Sequence, residues 1–84
     1  LSVYPNPVQN SRVIIEDGTL KNGKVYYSVY SSSGIKVLTG EYLVEANHLI
    51  ELDLDKSLLK PGVYFLILIG NNYNAPKKIR LIVE

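Results

Sequence analysis

Cysteine is absent from the 84 residues. Without thiols there is no disulfide framework and no thiolate nucleophile, and a zinc site loses its usual ligands. Methionine and tryptophan are also absent, phenylalanine occurs once, and the single histidine is His48. A lone histidine without cysteine is no metal-ligand set. As a catalytic base it would need a nucleophile and an orienting acid around it, and a solvated structural role for His48 is the expectation. The serines of "SSSG" fit turn chemistry better than a nucleophile. Formal net charge is +1, which excludes the strong positive field that nucleic acid requires. The longest apolar run, "VYFLILIG", is far short of the roughly 20 residues of a membrane-spanning helix. No glycine-rich phosphate loop follows a strand and opens a helix. The expected protein is not an enzyme and has no cofactor, no nucleic-acid partner and no small-molecule substrate.

What is present is a run of short apolar segments with strand character: Leu1–Tyr4, Arg12–Glu16, Lys24–Tyr30, Ile35–Thr39, His48–Leu54, Val63–Ile69 and Lys77–Val83. They are rich in Val, Ile, Leu and Tyr, and "EDG", "KNG", "SSSG", "KPG" and "GNNYNAP" punctuate them. Glu41–Val44 either extends the fourth strand across Gly40 or forms a small extra one. No stretch sustains helical periodicity, and the best helical candidate is the single turn "DKSLL" before Pro61. Alternation assigns the faces. Val25, Tyr27 and Val29 oppose Tyr26, Ser28 and Tyr30. Ile50, Leu52 and Leu54 point inward, away from Glu51, Asp53 and Asp55. Ile79, Leu81 and Val83 share one face of the last segment. "VYFLILI" is apolar on both faces, as suits a central strand covered on both sides or beside a partner. Spacing and turn signals predict an all-β fold: an immunoglobulin-like β-sandwich of about seven short, mainly antiparallel strands. One domain spans 1–84. Beginning at Leu1 with no methionine anywhere, the chain reads as a piece excised from a longer polypeptide.

Four features invite a functional reading. Glu51, Asp53 and Asp55 are spaced about 7 Å apart on one strand face. Calcium prefers ligands gathered by a folded-back loop, so a solvated face beside Lys56 is the simpler account. Seven tyrosines raise the possibility of a sugar-stacking platform from Tyr26, Tyr30, Tyr42 and Tyr73, against the plainer reading of tyrosines covering sheet surface. Tyr64, after a Lys60-Pro61-Gly62-Val63 sequence suited to a type II turn, sits where sandwich domains place a tyrosine whose hydroxyl pins the preceding corner. Finally, Lys77, Lys78 and Arg80 cluster in the tail. They describe either a charged edge strand protected from aggregation or a recognition strand with apolar teeth Ile79, Leu81 and Val83.

"YPNPV" at Tyr4–Val8, "VYSSSGIKVLTGEY" at Val29–Tyr42, "LDKSLLKPGVYFLILI" at Leu54–Ile69 and "KKIRLIVE" at Lys77–Glu84 together resemble the type A C-terminal sorting domain of the type IX (Por) secretion system of Bacteroidetes-type bacteria. The resemblance covers essentially the whole chain. It implies a non-catalytic signal at the end of a secreted cargo, periplasmic in transit and then at the cell surface or outside the cell. The implied partners are the type IX translocon, its outer-membrane shuttle and sortase components, and a covalently linked N-terminal cargo domain. It also implies that a surface sortase commonly removes the domain, at a bond expected to precede Leu1. Export recognition would map to Lys77, Lys78, Ile79, Arg80, Leu81, Ile82 and Val83, with Tyr4, Pro5, Asn6, Pro7, Gly34, Pro61, Gly62 and Tyr64 as structural motif residues. Where the family often carries an acidic or amide residue before the hairpin glycine, this chain has Ser31, Ser32 and Ser33. An immunoglobulin-like or fibronectin-like spacer, or a carbohydrate-binding module, is the alternative.

The opening "LSVYPNPVQN" poses its own problem. Proline has no N–H for a ladder and forces the preceding residue extended. Leu1–Tyr4 is therefore expected to be an edge strand followed by a stiff bend at Pro5–Pro7, and the resemblance adds that Tyr4 and Val8 would anchor it to the core. Strand addition at an exposed edge is the expected docking mode for a partner.

Overall fold

The computed structural model describes residues 1–9, 11–45, 48–55, 57–70 and 73–84. Seven strands follow one another: β1 (Ser2–Gln9), β2 (Arg12–Glu16), β3 (Gly23–Ser31), β4 (Lys36–Val44), β5 (Leu49–Asp53), β6 (Gly62–Gly70) and β7 (Lys77–Val83). There is no helix among the described residues, so the all-β expectation holds. The fourth strand does run on through Gly40. Of the described residues of "DKSLL", Ser57 and Leu58 lie in a turn and none is helical, with the Leu58 N–H donating to the Asp55 carbonyl at 3.0 Å. Lys56, its second residue, and Asn71 and Asn72 of the "GNNYNAP" punctuation lie outside the described residues.

Alternation explains most of the burial. β2 buries Val13 and Ile15, and β5 buries Ile50 and Leu52. β3 buries Val25 and Val29, leaving Tyr26 outside. These residues join Leu66, Leu68, Ile79 and Leu81 in one hydrophobic cluster, each large side chain contributing about 1.5–3 kcal/mol of transfer free energy.

The strand order is β4-β3-β6-β7-β1-β2-β5. All pairings are antiparallel except β1 with β7. The terminal strands of this order, β4 and β5, touch each other, so the sheet folds back on itself around the shared core. β6 is central in the β3-β6-β7 ladder, which explains its double apolar pattern. Tyr64, Leu66 and Leu68 are buried, whereas Val63, Phe65 and Ile67 are half-buried on the other face.

Two expectations about strand position are corrected. β1 does not stop at Tyr4; it passes through both prolines to Gln9 and lies between β2 and β7. The physical reason is a change of partner. Ser2, Val3 and Tyr4 pair with Glu16, Ile15 and Ile14 of β2, Val8 then meets Val83 of β7, and Gln9 returns to Arg12 of β2. Pro5, Asn6 and Pro7 fall between the two ladders, where no N–H is demanded of them. β7 is likewise an inner strand between β6 and β1, because the core-facing Ile79, Leu81 and Val83 require cover. Among the described residues its backbone pairs with β1 at Val83 alone.

Gly70 ends β6 with φ of +101°, and a Cβ there would stand 3.2 Å from the Lys24 carbonyl oxygen. Both the left-handed backbone and the close approach disfavour any side chain. Gly70→Ala is expected to cost about 1–2 kcal/mol, read as a lower urea midpoint; an unchanged midpoint would show that the β6 end adopts another conformation.

Candidate recognition surface

The segment between the two ladders of β1 solves the problem posed by the two prolines. Asn6, flanked by residues that cannot donate, turns its carboxamide onto β7. Its Nδ2 donates to the Arg80 carbonyl at 3.1 Å, and its Oδ1 accepts from the Ile82 N–H at 3.1 Å. An asparagine side chain carries the same donor and acceptor as a peptide unit, so Asn6 substitutes for the missing backbone ladder. The N-terminal motif thereby clasps the C-terminal strand. Both prolyl bonds, Tyr4–Pro5 and Asn6–Pro7, are cis. Val8 is buried, as expected of an anchor, but Tyr4 is 42% exposed and does not serve as one.

Asn6→Ala is expected to cost about 1 kcal/mol, since two exposed side-chain bonds are lost and water can replace them. Asn6→Asp should be no better than alanine, because a carboxylate accepts from Ile82 but repels the Arg80 carbonyl oxygen. Urea midpoints of the two variants check this, and wild-type stability in both would rule out the clasp.

β7 divides cleanly. Ile79, Leu81 and Val83 are core residues, at 7%, 0% and 7% exposure. They are therefore not teeth open to a partner in the folded domain. Lys78 and Arg80 are exposed, Ile82 is half-buried, and Lys77 sits at the strand start. The Lys78 Nζ lies 4.4 Å above the centre of the Phe65 ring, within cation–π range. Lys77 stands 5.8 Å from the Tyr73 ring centre.

The Tyr64 hydroxyl donates to the Lys60 carbonyl at 2.7 Å, which is the corner pin expected of it. Pro61 is exposed. Gly62 has φ of +156°, far more extended than the third residue of a type II turn, and it already pairs with Val83. Gly34 closes the β3–β4 hairpin with φ of +88°, and its N–H donates to the Ser31 carbonyl at 2.9 Å. The Ser31 hydroxyl oxygen accepts from the Ile35 N–H at 3.2 Å, so serine stabilises this turn from the side-chain position next to it.

The remaining sequence candidates separate. His48 just precedes β5, in the left-handed region at φ of +57°. Its Nδ1 donates to the Leu20 carbonyl at 2.6 Å, and its own carbonyl accepts from the Asp17 N–H at 3.2 Å. It ties two loops together. The three carboxylates do not act as a set: Glu51 pairs with Arg12 at 3.1 Å, while Asp55 lies beyond β5 and accepts from the Ser57 N–H and hydroxyl at 2.9 and 2.7 Å. No group of three metal-ligating side chains occurs among the described residues. The proposed tyrosine platform does not assemble either. Tyr26 and Tyr30 point outward from β3, whereas Tyr42 and Tyr73 pack against the core.

Two groupings escaped sequence reasoning. One is Asp17, only 7% exposed, which accepts from Thr19 and from the hydroxyl of Tyr73; nothing in the sequence links positions so far apart. The other is the half-buried row Tyr30–Phe65 beside Lys78 and Arg80, set by the β3–β6 and β6–β7 registers. The double apolar pattern of "VYFLILI" was its only signal. No curated protein and no solved structure matches the chain. Residues 2–84 do match the family described as the secretion system C-terminal sorting domain. With essentially its whole length accounted for, the chain belongs to the secretion system C-terminal sorting domain family.

Proposed function

We propose that the domain is a non-catalytic address, read as a folded surface, that takes a cargo fused to its N-terminal side across the outer membrane through the type IX machinery. The family match over residues 2–84 carries this reading. The family's function is sorting for type IX secretion, with delivery to the cell surface or the extracellular space. Passage through the periplasm, contact with an outer-membrane shuttle and removal by a sortase complete the proposed route. Recognition by the last strand then divides in two. Lys77, Lys78, Arg80 and Ile82 are available to a partner, while Ile79, Leu81 and Val83 contribute by holding β7 in the core.

The test is a fusion of residues 1–84, with a linker, behind a signal peptide and a fluorescent reporter in a bacterium with the type IX machinery. Reporter at the surface or in the medium, and retained in the periplasm when the translocon is deleted, is the expected result. Retention in both strains, with the domain folded, would favour a spacer. Replacing Lys77–Glu84 by a scrambled segment of the same composition is expected to abolish export.

A further inference from the structure

The outer face of β3, β6 and β7 is apolar in the middle and cationic at one end. Register sets Tyr30 opposite Phe65, and Phe65 opposite Arg80. In the next row Ile67 lies between Ser28 and Lys78. Phe65 and Ile67 are only half-buried, although β6 is the central strand of this ladder. A shallow groove runs between them and the Ser31–Gly34 turn, with Tyr30 and Lys78 along its sides.

The charges around this groove are of one sign. Lys36 lies 5.7 Å from the Tyr30 ring centre and Lys78 lies 4.4 Å from that of Phe65. Among the described residues the ion pairs are Arg12–Glu51 and Lys24–Glu41, so Lys36, Lys78 and Arg80 meet no carboxylate. Glu41, on the outer face of β4 opposite Tyr26, is engaged by Lys24 at 3.3 Å. A contiguous apolar patch rimmed by polar groups marks an interaction site. A one-signed cationic rim selects the partner's charge.

We infer that this face docks an acidic protein segment, which seats an apolar side chain against Phe65 and Ile67 and places carboxylates at Lys78, Arg80 and Lys36. The groove is concave and walled by a hairpin, which suits a side chain better than a flat bilayer. The inference deepens the sorting reading and rests on it for the identity of the partner, a component of the export machinery.

The probe is an acidic peptide of five residues with a central phenylalanine and glutamates around it, titrated into the isotope-labelled chain and followed by NMR. A peptide with lysines for glutamates and vesicles containing an anionic phospholipid are run in parallel. Shifts focused on Tyr30, Phe65, Ile67 and Lys78 with the acidic peptide alone are expected. Affinity should weaken severalfold between low and high salt and about tenfold or more in the double variant Lys78→Glu, Arg80→Glu, whose urea midpoint serves as the folding control. Scattered shifts, equal response to the lysine peptide, or response to vesicles alone would overturn the inference. The fusion assay separates the two ideas. Undiminished export by the double variant overturns this docking face and leaves the sorting signal standing. A wild-type fusion that is not exported overturns the sorting reading whatever the peptide does.

Discussion

Leu81→Ala is expected to lower the unfolding free energy by about 3 kcal/mol, within the roughly 2–5 kcal/mol typical of leucine truncation in a core. Leu81 is fully buried, opposite Tyr64 in the β6–β7 ladder, and belongs to the shared cluster. The cluster around it would face the cavity and could collapse into it only in part. A domain of this length has a total stability of about 4–13 kcal/mol, so the loss is a large fraction of the whole. Seven tyrosines and no tryptophan make tyrosine fluorescence and circular dichroism the natural probes of a urea titration. Reporter export should fall in parallel with the folded fraction. Lys78→Glu with Arg80→Glu should cost no more than about 1 kcal/mol, the worth of the exposed cation–π contact of Lys78 over Phe65, and lower export by another route. The pair of variants separates strand seven as part of the core from strand seven as a surface. A Leu81→Ala protein of wild-type stability would mean that β7 is not held in the core in solution.

That division shows where sequence reading reaches and where it stops. Period-two alternation identifies which residues share a face, and it grouped Ile79, Leu81 and Val83 correctly. Whether a face meets the core or a partner depends on what lies across from it, and that is a matter of topology. The same gap explains the tyrosines: strand pattern cannot say that Tyr26 looks outward while Tyr42 looks in. The Tyr64 corner was legible because donor and acceptor are four residues apart, within reach of local turn chemistry. Asn6 was not, because its partners lie 74 and 76 residues away. Yet the prolines that flank it supplied half of the reasoning, since a strand without N–H groups needs a donor from elsewhere. The one-signed cationic rim required the registers of four strands, none of which is written in any single segment.

Asp17→Ala is expected to cost about 2–3 kcal/mol at neutral pH, and its size should depend on pH in a way that identifies the cause. The carboxylate accepts at Oδ1 from the Thr19 N–H at 3.0 Å and hydroxyl at 2.8 Å, and at Oδ2 from the Tyr73 hydroxyl at 2.9 Å. Burial pushes the carboxyl pKa up, but these hydrogen bonds to the charged form outweigh burial and hold it below the ordinary value. A carboxyl depressed in the folded state stabilises the protein above the unfolded pKa of about 3.9, and that contribution is lost as pH falls through the folded value. Tyr73 moves the other way: burial first, then the bond to Asp17 and its negative charge, raise the phenol well above its usual pKa. Its contribution is complete below about pH 10 and fades at higher pH. Asp17→Asn keeps the shape and an acceptor but removes the charge, so it should lose about 1–2 kcal/mol at pH 7 and progressively less toward pH 3. Asp55, also depressed by its bonds to Ser57, titrates over the same acid range in both proteins and cancels in the difference. Urea midpoints of wild type and Asp17→Asn between pH 2.5 and 7 measure that difference directly. A gap that closes in acid assigns the stabilisation to the ionised Asp17 carboxylate, whereas a constant gap would assign it to packing alone.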